Sequence, residues 1–292
     1  MDDRSDNARN GAIDALLPVE IARRAEAIGA EKARLELPRL VVLSVLAGAF
    51  IALGAMFATT VLAGATGTVP FGIGRLIAGL AFSLGLVLVV LAGAELFTGN
   101  TLMVMACAAK RISLGEMLRA WGIVYVGNFV GALGTAILVL LSGQYLAGDG
   151  AVAGVALSLA ADKVALPFGR ALFLGILCNV LVCLAVWLSI GARSTADKVL
   201  AVMLPVSAFV AAGFEHSVAN MYLVPLGILI RDFAPAELLA GLPPRPGLSA
   251  LGWPAFLWSL VPVTIGNAIG GGVLVGGVYW FAYLRPRPAP GP

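Results

Sequence analysis

Long apolar segments alternate with short polar ones along most of the chain. A helix needs about 20 mostly apolar residues to cross a hydrocarbon core of about 30 Å, whereas a membrane barrel would show short alternating strands. Six segments meet the requirement for a helix, and they comprise residues 40–63, 75–109, 116–142, 169–190, 198–230 and 253–284. The pattern therefore predicts an all-α, polytopic membrane protein with six transmembrane helices.

Two of these segments are too long for one straight helix, and each has polar residues near its middle. Residues 95–100 read ELFTGN within the segment 75–109, and residues 215–220 read EHSVAN within the segment 198–230. Unwound backbone survives at membrane depth only where protein or a water-filled cavity binds its polar groups. We therefore predict two broken helices, and their loops carry Glu95, Gly99, Asn100, Ser217 and Asn220.

Short sequence echoes relate the two halves of the chain. Glu95 and Glu215 are each followed five residues later by an asparagine, and the next apolar segment carries a Gly-Asn pair that ends at Asn128 or Asn267. Three crossings give the second copy the opposite orientation, so the echoes predict an inverted 3+3 repeat with a substrate path at the repeat interface. The predicted repeats comprise residues 40–142 and 169–284.

The basic residues set the expected orientation. If the chain crosses six times, all but five of its 19 Lys and Arg residues fall on the side of the N-terminus. The five residues on the other side are Arg75, Lys163, Arg170, Arg231 and Arg245. Because basic residues concentrate on the cytoplasmic side, we expect both termini in the cytoplasm and the protein in the inner (cytoplasmic) membrane.

Both chain ends differ from the transmembrane domain, which we place at residues 38–284. Apolar residues recur at helical spacing over residues 13–36, which predicts an amphipathic helix on the membrane surface or on the protein's own inner face. Residues 1–37 are polar at their start, show no secretory signal peptide and form the expected cytoplasmic segment. The proline-rich tail 285–292 cannot form a helix, so we expect it to be disordered.

Composition narrows the class of protein further. Only 12% of the residues are charged and 60% are hydrophobic, whereas an average soluble domain carries about 25% charged residues. The net charge of +3 comes from scattered basic residues, which argues against nucleic-acid binding. The three cysteines lie inside apolar segments and His216 is the single histidine, so we expect neither a metal site nor a cofactor.

Ionisable residues inside the spans indicate function, because a charged side chain at a helix centre costs about 2.5 to 3.5 kcal/mol on insertion scales. Glu95 and Glu215 occupy equivalent positions, which favours a scaffolding role in which they accept hydrogen bonds from backbone N–H groups at the breaks. His216 has no counterpart, since Leu96 follows Glu95. Histidine alone among these side chains exchanges protons near neutral pH, so we expect His216 to act in proton transfer.

Several features favour an anion as the substrate. The helices that resume after the breaks present N-termini with free N–H donors and partial positive charge near mid-membrane. Lys163 lies in the loop ahead of the fourth span, where it either attracts anions or anchors the chain at the interface. Phe82, Leu86, Leu96 and Phe209 lie on or beside the broken helices, where they either pack or form a barrier to bare ions.

Four stretches of the chain resemble the formate/nitrite transporter family. They comprise residues 94–101 (AELFTGNT), 178–187 (CNVLVCLAVW), 213–221 (GFEHSVANM) and 262–267 (PVTIGN). All four occur in order, and the resemblance covers residues 13–284. It implies an aquaporin-like protomer of six helices, a homopentamer with one pore per protomer, and transport of formate or a similar small anion together with protons across the lipid bilayer.

The resemblance also implies roles for individual residues. The two hydrophobic constrictions of the family match Phe82, Leu86, Leu96 and Phe209. The pore residues of the family match the mobile-loop threonine Thr98, the central histidine His216, the vestibule lysine Lys163, and the polar pore-side residues Asn179 and Asn267. We assign Glu215, which lies beside the histidine, to the same group of pore and proton-relay residues. Together with the polar and apolar residues described above, these roles lead to one hypothesis about transport.

In this hypothesis a small monovalent anion enters the outer vestibule and gains a proton near His216. It then crosses the constrictions as the neutral acid, because moving an isolated ion into a medium of low dielectric constant is too costly. Formate, nitrite and hydrosulfide all fit, and formate is the broadest substrate of the family. The alternatives are weaker, since an aquaporin needs Asn-Pro-Ala motifs and an ammonium channel needs paired histidines. A membrane enzyme would need more ionisable groups than Glu95, Glu215 and His216.

Overall fold

The chain is helical throughout the part that its computed structural model describes, which comprises residues 15–65, 68–244 and 247–286. No strand occurs within those ranges. The helices in chain order are α1 (Pro18–Ala33), α2 (Leu37–Leu62), α3 (Phe71–Ala92), α4 (Phe97–Asn100), α5 (Val104–Ala108), α6 (Leu114–Leu141), α7 (Ala151–Val164), α8 (Phe168–Gly191), α9 (Thr195–Ala211), α10 (Ser217–Phe233), α11 (Ala236–Gly241), α12 (Trp253–Ala268) and α13 (Val278–Tyr283). The π-helix Ile269–Gly277 joins α12 to α13, and the 3-10 turn Thr101–Met103 joins α4 to α5.

Five helical stretches in the described part of the chain are long and apolar enough to cross a membrane. They are α2, α3, α6, α8 and the continuous stretch Trp253–Tyr283. The predicted segment 198–230 instead forms α9 and α10, which have 17 residues each. The all-helical membrane architecture is therefore confirmed, and the fifth predicted segment is built from two shorter helices.

The structure has both predicted interruptions, but their loops lie slightly earlier in the chain than predicted. Of the five residues assigned to the loops, Glu95 lies in a break, whereas Gly99 and Asn100 lie in α4 and Ser217 and Asn220 lie in α10. Residues 93–96 separate α3 from α4, and residues 212–216 separate α9 from α10. Gly93 (φ 75°) and Gly213 (φ 73°) follow the ends of α3 and α9 in the left-handed conformation. Glycine adopts this conformation without the steric cost that a Cβ imposes, so the backbone can turn sharply at the end of each of these two helices.

The amphipathic N-terminal helix lies on the protein itself, which was one of the two predicted positions. α1 buries the face formed by Ile21, Ala22, Ala25, Gly29, Ala30 and Ala33. This face packs mainly against α5, the 3-10 turn that precedes α5, and α8. We refer to this side of the domain as the α1 face. The predicted N-terminal segment is outside the described residues over 1–14, as is the tail over 287–292.

The stretch before the fourth span was predicted as a loop, and this prediction was wrong. Residues 151–164 form α7, and Lys163 lies in its last turn. Alanine is the commonest residue of this stretch and has the highest helix propensity, which favours the helix. α7 packs mainly against α10 on the side of the domain opposite α1, which we refer to as the α7 face. The proline-rich loop 231–252 also contains a short helix, α11.

Two glycines allow neighbouring helices to cross closely. A Cβ atom built on Gly131 of α6 would collide with the carbonyl oxygen of Val45 in α2, and one built on Gly270 would collide with the carbonyl oxygen of Ile176 in α8. Each glycine lies three residues after an asparagine, Asn128 or Asn267. The same sequence spacing thus brings the same kind of helix crossing in both halves of the chain.

Replacing Gly131 with alanine is expected to lower the melting temperature of the purified protein in detergent. The added methyl group forces α2 away from α6, and overpacking of this kind costs about 1–3 kcal/mol. Gly134→Ala is a matched control on the same helix, because a Cβ built there meets no atom of a neighbouring helix within 4 Å. Equal melting temperatures for the two variants would show that the crossing does not depend on Gly131.

Candidate functional site

A cavity of about 280 Å³ opens at the α1 face. Lys32, Glu95 and Asn100 line it, together with Leu86 and Leu96. Gly99 also borders this cavity, whereas Thr98 does not. The α1-side cavity therefore combines charged groups with two of the predicted constriction residues.

A second cavity of about 250 Å³ opens at the α7 face. It is lined by Lys163, Glu215 and His216 and by the other two predicted constriction residues, Phe82 and Phe209. The rings of Phe82 and Phe209 meet edge to face, with their centroids 5.6 Å apart. Phe82, Phe209, Leu86 and Leu96 are all buried. The structure thus assigns one pair of predicted constriction residues to each cavity.

One lysine and one glutamate line each cavity, and each glutamate also binds an asparagine side chain, so that the three residues form a cluster. In the α1-side cavity, Lys32 Nζ lies 3.0 Å from Glu95 Oε2 and donates a hydrogen bond of 2.8 Å to Asn100 Oδ1. Asn100 Nδ2 donates to the same Glu95 oxygen at 2.8 Å. Because the ammonium group and the carboxylate compensate each other, the buried carboxylate is stabilised and the cluster is close to neutral.

The α7-side cluster repeats this arrangement. Lys163 Nζ lies 3.0 Å from both carboxylate oxygens of Glu215. Asn220 Nδ2 donates a hydrogen bond of 2.7 Å to Glu215 Oε2. Lys163 is therefore bound to a buried carboxylate and is more than an interfacial anchor.

The prediction of the hydrogen-bonding partners of Glu95 and Glu215 was wrong. Their carboxylates accept hydrogen bonds from lysine and asparagine side chains instead of the backbone N–H groups of the breaks. Lys32 was not predicted, because its proximity to Glu95 depends on the docking of α1. The available signal was the rule that a buried carboxylate needs a cationic or hydrogen-bonding partner. That rule applied to Glu95 as much as to Glu215.

Asparagine side chains hold the broken backbone in both halves. Asn128 Oδ1 accepts a hydrogen bond of 2.9 Å from the Phe97 N–H, the first of α4. Asn128 Nδ2 donates to the carbonyl oxygens of Ser44 in α2 (2.8 Å) and of Glu95 in the break (2.9 Å). Asn128 thus joins three chain segments with a single fully buried side chain.

Asn267 does the same in the second half. Its Oδ1 accepts from the Ser217 N–H at 2.9 Å, and its Nδ2 donates to the carbonyl oxygens of Gly175 (2.8 Å) and Glu215 (2.9 Å). Asn179 donates in turn to the Asn267 carbonyl oxygen at 2.6 Å and to the Thr98 carbonyl oxygen at 3.2 Å. Within the described part of the chain, neither Asn179 nor Asn267 lines one of the two cavities. Their pore-side role stays a prediction.

His216 breaks this symmetry. The Ala219 N–H donates to His216 Nδ1 at 3.0 Å, so the ring caps the N-terminus of α10. Because Nδ1 accepts, the neutral ring carries its hydrogen on Nε2, which then donates to Thr98 Oγ1 at 3.0 Å. The ring also stacks on Phe209, with the centroids 6.0 Å apart. Thr98 and His216 thus connect the first break to the second.

The N-termini of α4 and α10 have fewer free donors than the sequence predicted. Asn128 binds the Phe97 N–H, Asn267 binds the Ser217 N–H, and His216 binds the Ala219 N–H. Side chains of the protein therefore satisfy much of the hydrogen-bonding capacity at these helix ends. This leaves the basic side chains as the stronger source of attraction for an anion.

These features define a class of protein. Helix breaks that meet at a buried polar contact, between cavities on opposite faces of a helical membrane domain, are typical of membrane transport proteins. The chain belongs to the formate/nitrite transporter family, whose family model matches residues 19–281.

Individual relatives agree with this assignment. The chain is 47% identical over 274 residues to the formate channel FocA of Escherichia coli (strain K12), covering 93% of this chain and 96% of that protein. It is 39% identical over 275 residues to the formate channel FocA of Haemophilus influenzae (strain ATCC 51907 / DSM 11121 / KW20 / Rd), covering 93% and 96%. A solved structure described as a pentameric formate channel with formate bound superposes with a TM-score of 0.79 at 41% identity, covering 85% of this chain and 98% of that one.

Proposed function

We propose that this protein is a channel for formate and that formate crosses it in the protonated, neutral form. The observation that carries the proposal is the buried Thr98–His216 contact, which lies beside apolar residues between two cavities that contain basic groups. The relatives named as formate channels support formate as the substrate. We expect no enzymatic turnover.

Charged formate is attracted to either cavity by basic side chains. Lys163 and Arg75 line the α7-side cavity, and Lys32 and Lys198 line the α1-side cavity. Carboxylates also line both cavities, but basic residues outnumber them in each one. An excess of positive charge in a cleft raises the local concentration of anions, and low-dielectric walls strengthen this effect. The anion therefore accumulates at both ends of the path before it loses its charge.

The apolar residues between the cavities oppose the passage of an anion. An anion would lose its hydration shell there, and the neighbouring side chains supply no hydrogen-bond donor to replace it. These side chains are Phe82, Phe209, Leu86 and Leu96. An unpaired carboxylate in such surroundings prefers to take up a proton. Formic acid is small and uncharged, so the same residues present a much lower barrier to it.

The proton is transferred beside Thr98 and His216. His216 takes up a proton from water in the α7-side cavity to form an imidazolium, then gives one proton to the anion and returns to its neutral state. The imidazolium needs a hydrogen on Nδ1, so it loses the bond from the Ala219 N–H. Loss of such a cap costs about 1 kcal/mol, which keeps the charged ring short-lived. The acid releases its proton to bulk water after crossing.

Purified protein in liposomes is expected to take up formate much faster than protein-free liposomes, and faster as the external pH falls. Stopped-flow fluorescence with a dye enclosed in the liposomes measures uptake through the internal pH. Nitrite and hydrosulfide as competitors test the other two substrates on the same sample. Uptake of either one in the absence of formate uptake would contradict formate as the substrate, and no uptake of any of them would contradict transport of weak acids.

We propose that the chain crosses the membrane six times as two inverted repeats over residues 40–142 and 169–284, within a transport domain of residues 38–284. The matching hydrogen bonds of Asn128 and Asn267 and the two Lys–Glu–Asn clusters support this relation. In this arrangement α9 and α10 together make one crossing. The aquaporin-like plan follows from it.

We also propose a homopentamer in the inner membrane, with both termini in the cytoplasm. The superposed formate channel is described as pentameric, which supports the assembly. The excess of basic residues on the α1 face supports the orientation. Native mass spectrometry of the detergent-solubilised protein tests the subunit number directly.

A further inference from the structure

Each cavity also has cations outside its cluster, and the two half-buried ones, Arg75 and Lys198, differ in how they are bound. In the α7-side cavity, Arg75 Nη2 donates to the Val210 carbonyl oxygen at 2.7 Å, and its Nε donates to the Ala211 carbonyl oxygen at 3.5 Å. These carbonyls end α9, where a cation is favoured by the helix dipole. Arg75 therefore stabilises the second break, and part of its hydrogen-bonding capacity is occupied.

Lys198 holds a different position in the α1-side cavity. It is half-buried and lines the cavity together with Lys32 and the exposed Arg24. Across the described ranges of the chain, no hydrogen bond or ion pair of its ammonium group is found. The neighbouring Asp197 does not neutralise it through direct contact, because that carboxylate is bound to the Ser194 N–H at 3.0 Å.

Stability does not explain a lysine at this position. Lys198 lies in the first turn of α9, at the positive end of the helix dipole, where a cation is disfavoured. Partial burial without a partner is a second unfavourable contribution. Both contributions become favourable when an anion occupies the cavity, because the ammonium group and the helix N-terminus then attract the same charge.

We propose that Lys198 binds the transported anion in the α1-side cavity, so that its ammonium group receives a small monovalent oxyanion at this end of the path. Lys32 is less suited to this role, because Glu95 compensates its charge and Asn100 occupies a further donor. The inference rests on the proposed function and adds a binding residue to it. The cavity of about 280 Å³ has ample room for an anion of formate size.

Replacing Lys198 with glutamine is expected to raise the half-saturating concentration about threefold to fivefold and to change the maximal rate less than twofold. The measurement is equilibrium exchange of isotope-labelled formate across proteoliposomes, which samples both faces of the protein. Lys198→Arg should keep the wild-type value, because it keeps the charge. Lys110→Gln is the matched control, since Lys110 is exposed on the α1 face and does not line the cavity.

A variant modified after folding separates charge from structure. Lys198→Cys is purified and labelled in detergent, with either a cationic aminoethyl or an anionic sulfonatoethyl methanethiosulfonate reagent, and is then reconstituted. The cationic label should restore the half-saturating concentration, and the anionic label should raise it further. Wild-type protein treated in the same way controls for Cys107, which is half-buried.

The outcomes distinguish this inference from the proposed function. Wild-type exchange with equal half-saturating concentrations for Lys198→Gln and both labelled forms of Lys198→Cys would overturn the role of Lys198 and leave formate transport intact. Wild-type protein that exchanges no formate would overturn the proposed function and this inference with it. A higher half-saturating concentration that only the cationic label lowers would support both.

Discussion

Replacing His216 with asparagine is expected to remove the acceleration of formate uptake at low pH and to leave the fold intact. Asparagine is among the best N-capping residues, so its oxygen can accept from the Ala219 N–H as His216 Nδ1 does. It cannot carry a proton between water and the anion. Because general acid–base catalysis contributes about 100-fold or more, uptake at low pH should fall by at least about tenfold.

His216→Phe is the complementary variant. It should slow uptake in the same way and should also lower the melting temperature, because it removes the cap of α10, which is worth about 1 kcal/mol. Stopped-flow uptake between pH 5 and 8 and thermal unfolding of the same preparations separate the two effects. An asparagine variant with the pH-dependent uptake of the wild type would exclude His216 as the proton relay.

Replacing Asn267 with leucine is expected to prevent correct folding of the second break. The change leaves the Ser217 N–H and the carbonyl oxygens of Gly175 and Glu215 without their partner. A buried polar group that loses its partner costs about 1–3 kcal/mol, so the three losses amount to a large fraction of the stability of a typical protein domain. Thermal unfolding and size-exclusion chromatography of the purified variant measure this loss.

Asn128→Leu should be equally damaging, because Asn128 makes the corresponding three bonds around the first break. Thr135→Val is the control on the same helix. Its buried hydroxyl donates only to the Gly131 carbonyl oxygen four residues earlier, so its loss leaves no loop without an anchor. Wild-type stability of either asparagine variant would show that the breaks are held by other contacts.

The breaks themselves were predictable from the sequence because polar residues within an apolar segment are costly unless a tertiary structure binds them. Glu95 and Glu215 therefore marked both interruptions correctly. Their partners were not predictable in the same way, since Lys32 and Lys163 approach them only after α1 and α7 have docked. The sequence predicts that each buried carboxylate has a partner, but it does not predict which lysine that partner is.

The sequence pattern also could not predict that Asn128 and Asn267 anchor the breaks. Both positions stood out in the repeated Gly-Asn pairs, and the structure adds the reason for the repeat. The asparagine binds a break, and the glycine three residues later lets the helix approach its neighbour. Helix α7 was missed because its 14 residues were too few for a span. High helix propensity would have identified it.

The measurement that tests the account most directly is formate uptake at a controlled membrane potential. Proteoliposomes containing the wild-type protein are set to different potentials with potassium gradients and valinomycin, and uptake is followed at several values of external pH. If formate crosses as the neutral acid, uptake should rise as the pH falls and should not depend on the potential. Uptake that follows the potential and ignores pH would show that the anion crosses with its charge, and would contradict the account.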